Sequence, residues 1–178
     1  QSEGSPAIAL TQGFMGATPG GETTTLGREG SDYTAAIFAY ALQADEMVIW
    51  KDVPGLLNAD PKYFSRTEKL ASISYREAIE LSYYGATIIH PKTIKPLQNK
   101  DIPLRIKSFV KPGDEGSIIQ NDTAADSLIP SFIFKVDQVL ISIIPRDFSF
   151  IDEQSLSEIL AVFARNSIHI SLMQNSAI

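Results

Sequence analysis

The stretch spanning residues 20–32, GGETTTLGREGSD, gathers side chains whose chemistry is to grip an anion. Arg28 supplies a planar guanidinium able to hold a carboxylate or phosphate through two parallel hydrogen bonds. Thr23, Thr24, Thr25 and Ser31 add hydroxyls, and Gly20, Gly21, Gly27 and Gly30 let the backbone approach a ligand closely. Asp32 stands before an apolar-periodic run over residues 33–42 and is expected to cap that helix at its N-terminus. Backbone N–H groups at a helix start also favour an anion. Composition alone fits a polar surface loop with a good cap as well as it fits a binding site.

Two later strings share this character. Residues 49–61, IWKDVPGLLNADP, place Lys51 and Asp52 at the end of a short apolar run, and residues 84–91, YGATIIHP, follow a second helical pattern. Taken with TTTLGREGSDYTAA, in this order and at this spacing, the three strings resemble aspartate kinases of the amino-acid kinase family. The resemblance runs from about Thr11 to the end of the chain. It implies transfer of the γ-phosphoryl group of ATP, bound with Mg2+, to the side-chain carboxylate of L-aspartate. Such a reaction needs cations and hydrogen-bond donors around the phosphates more than a nucleophilic side chain. The acceptor carboxylate is already ionised at neutral pH.

On this resemblance Arg28 clamps the α-carboxylate of aspartate, with Ser31 and Thr25 beside it. Ser31 and Asp32 form the catalytic pair, Asp32 orienting lysines around the phosphates; an N-cap can serve that role as well. Lys51, Asp52, Leu57, Lys62, Thr87 and Ile88 fall at nucleotide-contacting positions. The chain departs from the family at Glu29, usually small or an amide, at Leu57, often tyrosine, and at Thr87, usually lysine. Lys51 stands where threonine is usual; either one phosphate-facing cation has moved from the Thr87 wall of the pocket to the Lys51 wall, or Lys51 is an incidental surface lysine and Thr87 a neutral substitution. His90, ahead of Pro91, reads as a hydrogen-bonded structural residue, and so does His169. Two distant histidines and no cysteine give no support to a zinc site.

The elements that must position these residues follow from periodicity. Residues 7–12 are expected to form a short buried strand leading into a turn at 13–16. Residues 33–44 read as a helix with Ala36, Ile37, Tyr40 and Ala41 on one face, and residues 46–50 as a buried strand. Ser74 followed by Glu77 is a capping box for a helix over 75–84 that Gly85 ends. A short helix over 91–99 and strands over 102–108 and 117–119 complete an alternating α/β pattern. Beyond a polar linker near 121–127, strands at 138–144 and 168–173 flank an amphipathic helix over 155–166. This β-α-β resembles the first half of an ACT ligand-sensing domain.

The expected fold class is therefore α/β: a mostly parallel, amino-acid-kinase-like sheet flanked by helices, then a partial ACT-like βαβ of α+β type. Residues 1–124 would be the nucleotide-side part of the kinase domain and 125–178 the ACT half. Ordinary proportions of apolar (44%) and charged (20%) residues fit a globular chain. A net charge of −6 without a basic run argues against nucleic-acid and anionic-membrane partners, and the absence of cysteine fits the cytoplasm. By resemblance the intact protein is a homo-oligomer paired through ACT domains and inhibited by an end-product amino acid. The alternatives are a different amino-acid kinase or a non-catalytic ACT-type sensor.

The Lys-Phe-Gly-Gly turn that opens the family's kinase domain has no match in this sequence, so the chain reads as a fragment. Phosphoryl transfer depends on a complete set of cations and donors. The isolated 178-residue chain is expected to be inactive; hydroxamate formed from aspartate, ATP and hydroxylamine by the pure chain would contradict this.

Overall fold

A computed structural model describes residues 7–84, 89–146 and 150–175. In chain order the elements are β1 (Met15–Ala17), β2 (Thr23–Thr25), α1 (Gly30–Leu42), β3 (Met47–Lys51), β4 (Leu56–Leu57), β5 (Lys69–Leu70), β6 (Ser72–Ser74), α2 (Tyr75–Tyr84), α3 (Pro91–Gln98), β7 (Leu104–Ser108), β8 (Ser117–Gln120) and α4 (Glu153–Arg165). Residues 1–134 form one compact unit and residues 135–178 another.

A four-stranded sheet in the order β3-β7-β8-β6 organises the first unit. β3 runs parallel to β7, from Met47 opposite Leu104 to Lys51 opposite Ser108. Within this sheet β6 runs parallel to β8, and the central β7–β8 pairing is antiparallel. Period-two burial explains the layering. Met47, Ile49, Ile73, Leu104, Ile106 and Ile119 are buried together with Ala36 and Ala39 of α1, Ala78 of α2 and Ile94 and Leu97 of α3. Val48 and Trp50 alternate to the other face and are exposed. There Lys107 Nζ lies 5.2 Å from the Trp50 ring centre, and Arg105 pairs with Glu46 at 2.7 Å.

Local chemistry accounts for the helix ends. Glu77 N–H donates to Ser74 Oγ at 3.0 Å, the first half of the expected capping box. His90 Nδ1 accepts from Lys92 N–H at 3.1 Å, so His90 caps α3 ahead of Pro91 at its first position. Gly116, at φ 75°, turns β7 into β8 so tightly that a Cβ there would run into the carbonyl oxygen of Ile106. Ser117 Oγ, buried beside it, accepts from Leu56 N–H at 2.8 Å and ties the short β4–β5 hairpin to the sheet.

Several expectations need correction. Residues 7–12 are exposed and form no strand, because a lone apolar run without a ladder partner leaves its backbone groups to water. The turn expected at 13–16 is instead part of the β1–β2 antiparallel hairpin. On α1 the buried positions are Ala36 and Ala39, whereas Ile37, Tyr40 and Ala41 are exposed. The helix turns its smallest side chains inward, where α3 and β3 lie close. Gly85, Thr87 and Ile88 lie outside the described residues.

Among the described residues of the second unit, only the helix forms as expected. Asp152 caps α4 by accepting from Ser155 N–H at 2.8 Å, and its hydrogen bonds to Ser155 hold that exposed carboxyl below its ordinary value. Leu156, Ile159 and Phe163 are half-buried along one face. Residues 138–144 and 168–173 carry no strand, which corrects the βαβ reading: each apolar run lacks the hydrogen-bonded neighbour that makes a strand of it.

Tyr75 offers a direct test of the core. Its ring is buried, its hydroxyl donates to the Ile102 carbonyl at 2.5 Å, and burial followed by the charge of Asp101 pushes its pKa up to about 12. A raised phenol pKa adds stability that is complete below the ordinary value near 10 and is lost as pH rises through about 12. Absorbance titration should show one late-ionising tyrosine that disappears in Tyr75→Phe. That variant should lose about 1–3 kcal/mol, because the buried Ile102 carbonyl is left without its donor.

Candidate functional site

The N-terminal end of α1 carries Ser31 and Asp32, and the loop bearing Arg28 leads into it. The helix begins at Gly30, earlier than expected, and Asp32 lies inside its first turn instead of capping it. The cap position is Glu29, at φ 54°, and its side chain makes no capping bond. Tertiary contact overrides the local preference of Asp for the cap. Phe14 packs over this turn so closely that a Cβ on Gly30 would sit 2.8 Å from Phe14 Cδ2 and 3.1 Å from Leu26 Cβ.

The hairpin is bonded to the helix as well as packed on it. Phe14 N–H donates to Thr34 Oγ1 at 3.0 Å, and Thr34 Oγ1 donates to the Gly30 carbonyl at 2.9 Å. Leu26 N–H donates to the Phe14 carbonyl at 2.8 Å, closing the base of the hairpin. Gly13 lies against Ser31, where a Cβ on the glycine would sit 3.1 Å from Ser31 Cα. The loop carrying Thr25 and Arg28 is thus anchored at the helix start that presents Ser31 and Asp32.

Freed from capping, the Asp32 carboxylate turns to the sheet. Lys51 Nζ lies 3.3 Å from Asp32 Oδ2, with the two side chains 25% and 21% exposed. The pair is therefore partly shielded yet open to a ligand. Lys51 ends β3, and its carbonyl accepts from Phe109 N–H at 2.8 Å, which fixes the strand end. Asp52 follows, exposed, at the carboxyl edge of a parallel strand, where ligands bind in open α/β sheets. Arg28, Thr25 and Ser31 are exposed. Glu29 Oε2 is buried without a hydrogen-bond partner, an unusual state for a carboxylate oxygen inside such a loop.

The remaining predicted positions belong to other segments of the chain. Leu57 sits in β4 opposite Lys69 and helps line a small apolar cavity with Leu56, Ile73, Ala78 and Ile119. Lys62 is exposed in the following turn, its N–H donating to Asp60 Oδ1 at 2.8 Å. Thr87 and Ile88 fall outside the described residues, and the exchange of cation between Thr87 and Lys51 falls there with them. Sequence reasoning passed over Thr34; a threonine four residues beyond a glycine at a helix start is the signal that was there.

The fold thus sets a strand-end lysine against an acid in the first turn of a helix, beside a Gly- and Thr-rich hairpin. Residues 4–108 match the profile of the amino acid kinase family, and the chain belongs to that family. Among curated relatives it is similar to lysine-sensitive aspartokinase 3 of Escherichia coli, 35% identical over 96% of this chain and 38% of the relative. An aspartokinase of Bacillus sp. (strain MGA3) is 36% identical over 96% of this chain and 41% of its own. The chain thus spans about two fifths of the curated relatives it matches. Of solved structures, E. coli aspartokinase III in complex with lysine and aspartate superposes with TM-score 0.72 at 35% identity, covering 94% of this chain and 37% of that one. The same enzyme in complex with aspartate and ADP gives 0.68 at 34% identity, covering 93% of this chain and 37% of that one.

The Asp32–Lys51 contact should be energetically modest, since both groups remain partly in water. A double-mutant cycle of Asp32→Asn and Lys51→Met, followed by chemical denaturation, should give a coupling of about 1 kcal/mol or less that shrinks at high salt. A coupling of several kcal/mol would identify the pair as a principal support of the fold.

Proposed function

We propose that the chain is part of an aspartate kinase, which phosphorylates the side-chain carboxylate of L-aspartate with ATP. The observation that carries this reading is the Lys51–Asp32 pair at the start of α1, next to the anchored loop that holds Arg28. A cation held by a carboxylate suits the phosphates of a nucleotide, and the exposed guanidinium fork of Arg28, four residues ahead of Asp32, suits the α-carboxylate of an amino acid. The likeness to an aspartokinase structure holding aspartate and ADP supports the same pair of ligands.

In this reading Arg28 binds the aspartate α-carboxylate, with Ser31 and Thr25 supplying donors nearby. Asp32 holds Lys51 toward the transferring phosphoryl group, whose developing charge the ammonium offsets. Asp52, Leu57, Lys62, Thr87 and Ile88 border the nucleotide. Mg2+ carried on the phosphates needs only one or two carboxylates from the protein, and Asp52, exposed at the end of β3, fits that demand. When bound, the ion neutralises phosphate charge. Residues 1–124 then belong to the kinase domain and 125–178 open an ACT-type regulatory domain. The complete protein would be a cytoplasmic homo-oligomer inhibited by an end-product amino acid; a relative's structure with bound lysine supports an effector of that kind.

In the full-length protein, hydroxamate formation should require both aspartate and ATP. Arg28→Lys keeps the charge and loses the fork, so the KM for aspartate should rise by the equivalent of about 1–3 kcal/mol while that for ATP stays near normal. An unchanged KM for aspartate would remove Arg28 from the site.

A further inference from the structure

We propose that Thr34 is a positioning residue that sets the aspartate affinity of the Arg28 loop, an inference resting on the aspartate kinase reading above. Thr34 lies one turn inside α1, beyond the residues assigned to either ligand. Its hydroxyl is the shared atom of two hydrogen bonds: it accepts from Phe14 N–H at 3.0 Å and donates to the Gly30 carbonyl at 2.9 Å. The second bond fixes the rotor, so the lone pair that receives Phe14 is aimed before the hairpin arrives.

Phe14 occupies a conformation that needs such a bond. It is a non-glycine residue at φ 73°, in the left-handed region where an L side chain is disfavoured. What holds it there is Thr34 on its N–H, Leu26 N–H on its carbonyl, and its ring against Gly30. Leu26 leads directly to Gly27 and Arg28, so the carbonyl of Phe14 fixes the height at which the Arg28 loop leaves the hairpin. Gly13, the residue before, lies against Ser31. One hydroxyl therefore registers the loop bearing Arg28 against the helix turn bearing Ser31 and Asp32. Displacing a substrate-gripping group by an ångström weakens binding or slows reaction far more than one hydrogen bond to the backbone would suggest.

The test uses the full-length protein and steady-state hydroxamate assays with Thr34→Val, which keeps the shape and removes the hydroxyl, and Thr34→Ser, which restores it. Thr34→Val should raise the KM for aspartate roughly tenfold while the KM for ATP and kcat change by less than about twofold, and Thr34→Ser should recover most of the loss. Hydrogen exchange at the Phe14 amide should accelerate in Thr34→Val and return toward normal in Thr34→Ser. An unchanged aspartate KM in Thr34→Val overturns the proposal. So does an equal loss in both variants or an equal effect on both substrates, which would mark a purely structural threonine. If Thr34→Val fails to fold, Thr34→Ala, which also removes the hydroxyl shared by Phe14 N–H and the Gly30 carbonyl, carries the test. The same aspartate-selective loss supports the proposal, and an unchanged aspartate KM overturns it. Wild-type protein without aspartate-dependent phosphoryl transfer would instead defeat the functional reading itself.

Discussion

The parallel pairing of β3 with β7 is the constraint on which the rest of the molecule depends. Leu104 and Ile106 of β7 are fully buried and sit between Met47 and Ile49 of β3 on one side and Ile119 and Ser117 of β8 on the other. A parallel pair must bury at least one face well, since its ladder comes with a helical crossover that has to pack back on it. Here α1, α2 and α3 supply that cover, with alanines where the approach is closest. The register of the same pair fixes where β3 stops, and so where the Lys51 ammonium stands relative to the first turn of α1.

Chemistry is thus assembled from two sides that do not share a hydrogen-bond ladder. The sheet brings Lys51; the helix start brings Ser31 and Asp32; the hairpin brings Thr25 and Arg28. Beyond the core that α1 and β3 share, the Asp32–Lys51 ion pair and the seating of Gly13 and Phe14 on Gly30, Ser31 and Thr34 join these parts among the described residues. Both leave ligand-facing groups partly exposed and fix only their carriers. A site that stabilises charge gains most from donors and cations already in place, because no reorganisation is then needed during reaction.

What was legible in the sequence was what local chemistry decides. Ser74 ahead of Glu77, Pro91 after His90, and the alternation of residues 104–108 each specify an element from within, and α2, α3 and β7 follow. The amphipathic face of α4 is of the same kind. What escaped was set by partners distant in the chain. The start of α1 is moved back to Gly30 by Phe14, and the Thr-rich hairpin has no apolar alternation to announce its three-residue strands. Apolar alternation at 138–144 and 168–173 states a willingness to be a strand, and a ladder partner is still required. At the site, the family resemblance named the candidates, while the pairing of Asp32 with Lys51 needed the fold.

The distance along the chain between β3 and β7 also bears on how the molecule comes to be. Met47 finds its partner at Leu104 only after the hairpin β4–β5, strand β6 and helices α2 and α3 have been threaded between them. Closing a loop of that length costs chain entropy before any ladder bond offsets it. Local pieces such as α1 and the β4–β5 hairpin face a much smaller closure cost. The β3–β7 ladder is therefore expected to close after those local pieces have formed. A nascent chain halted before residue 104 would hold Thr25, Arg28, Ser31 and Asp32 and still lack the strand that pairs with β3.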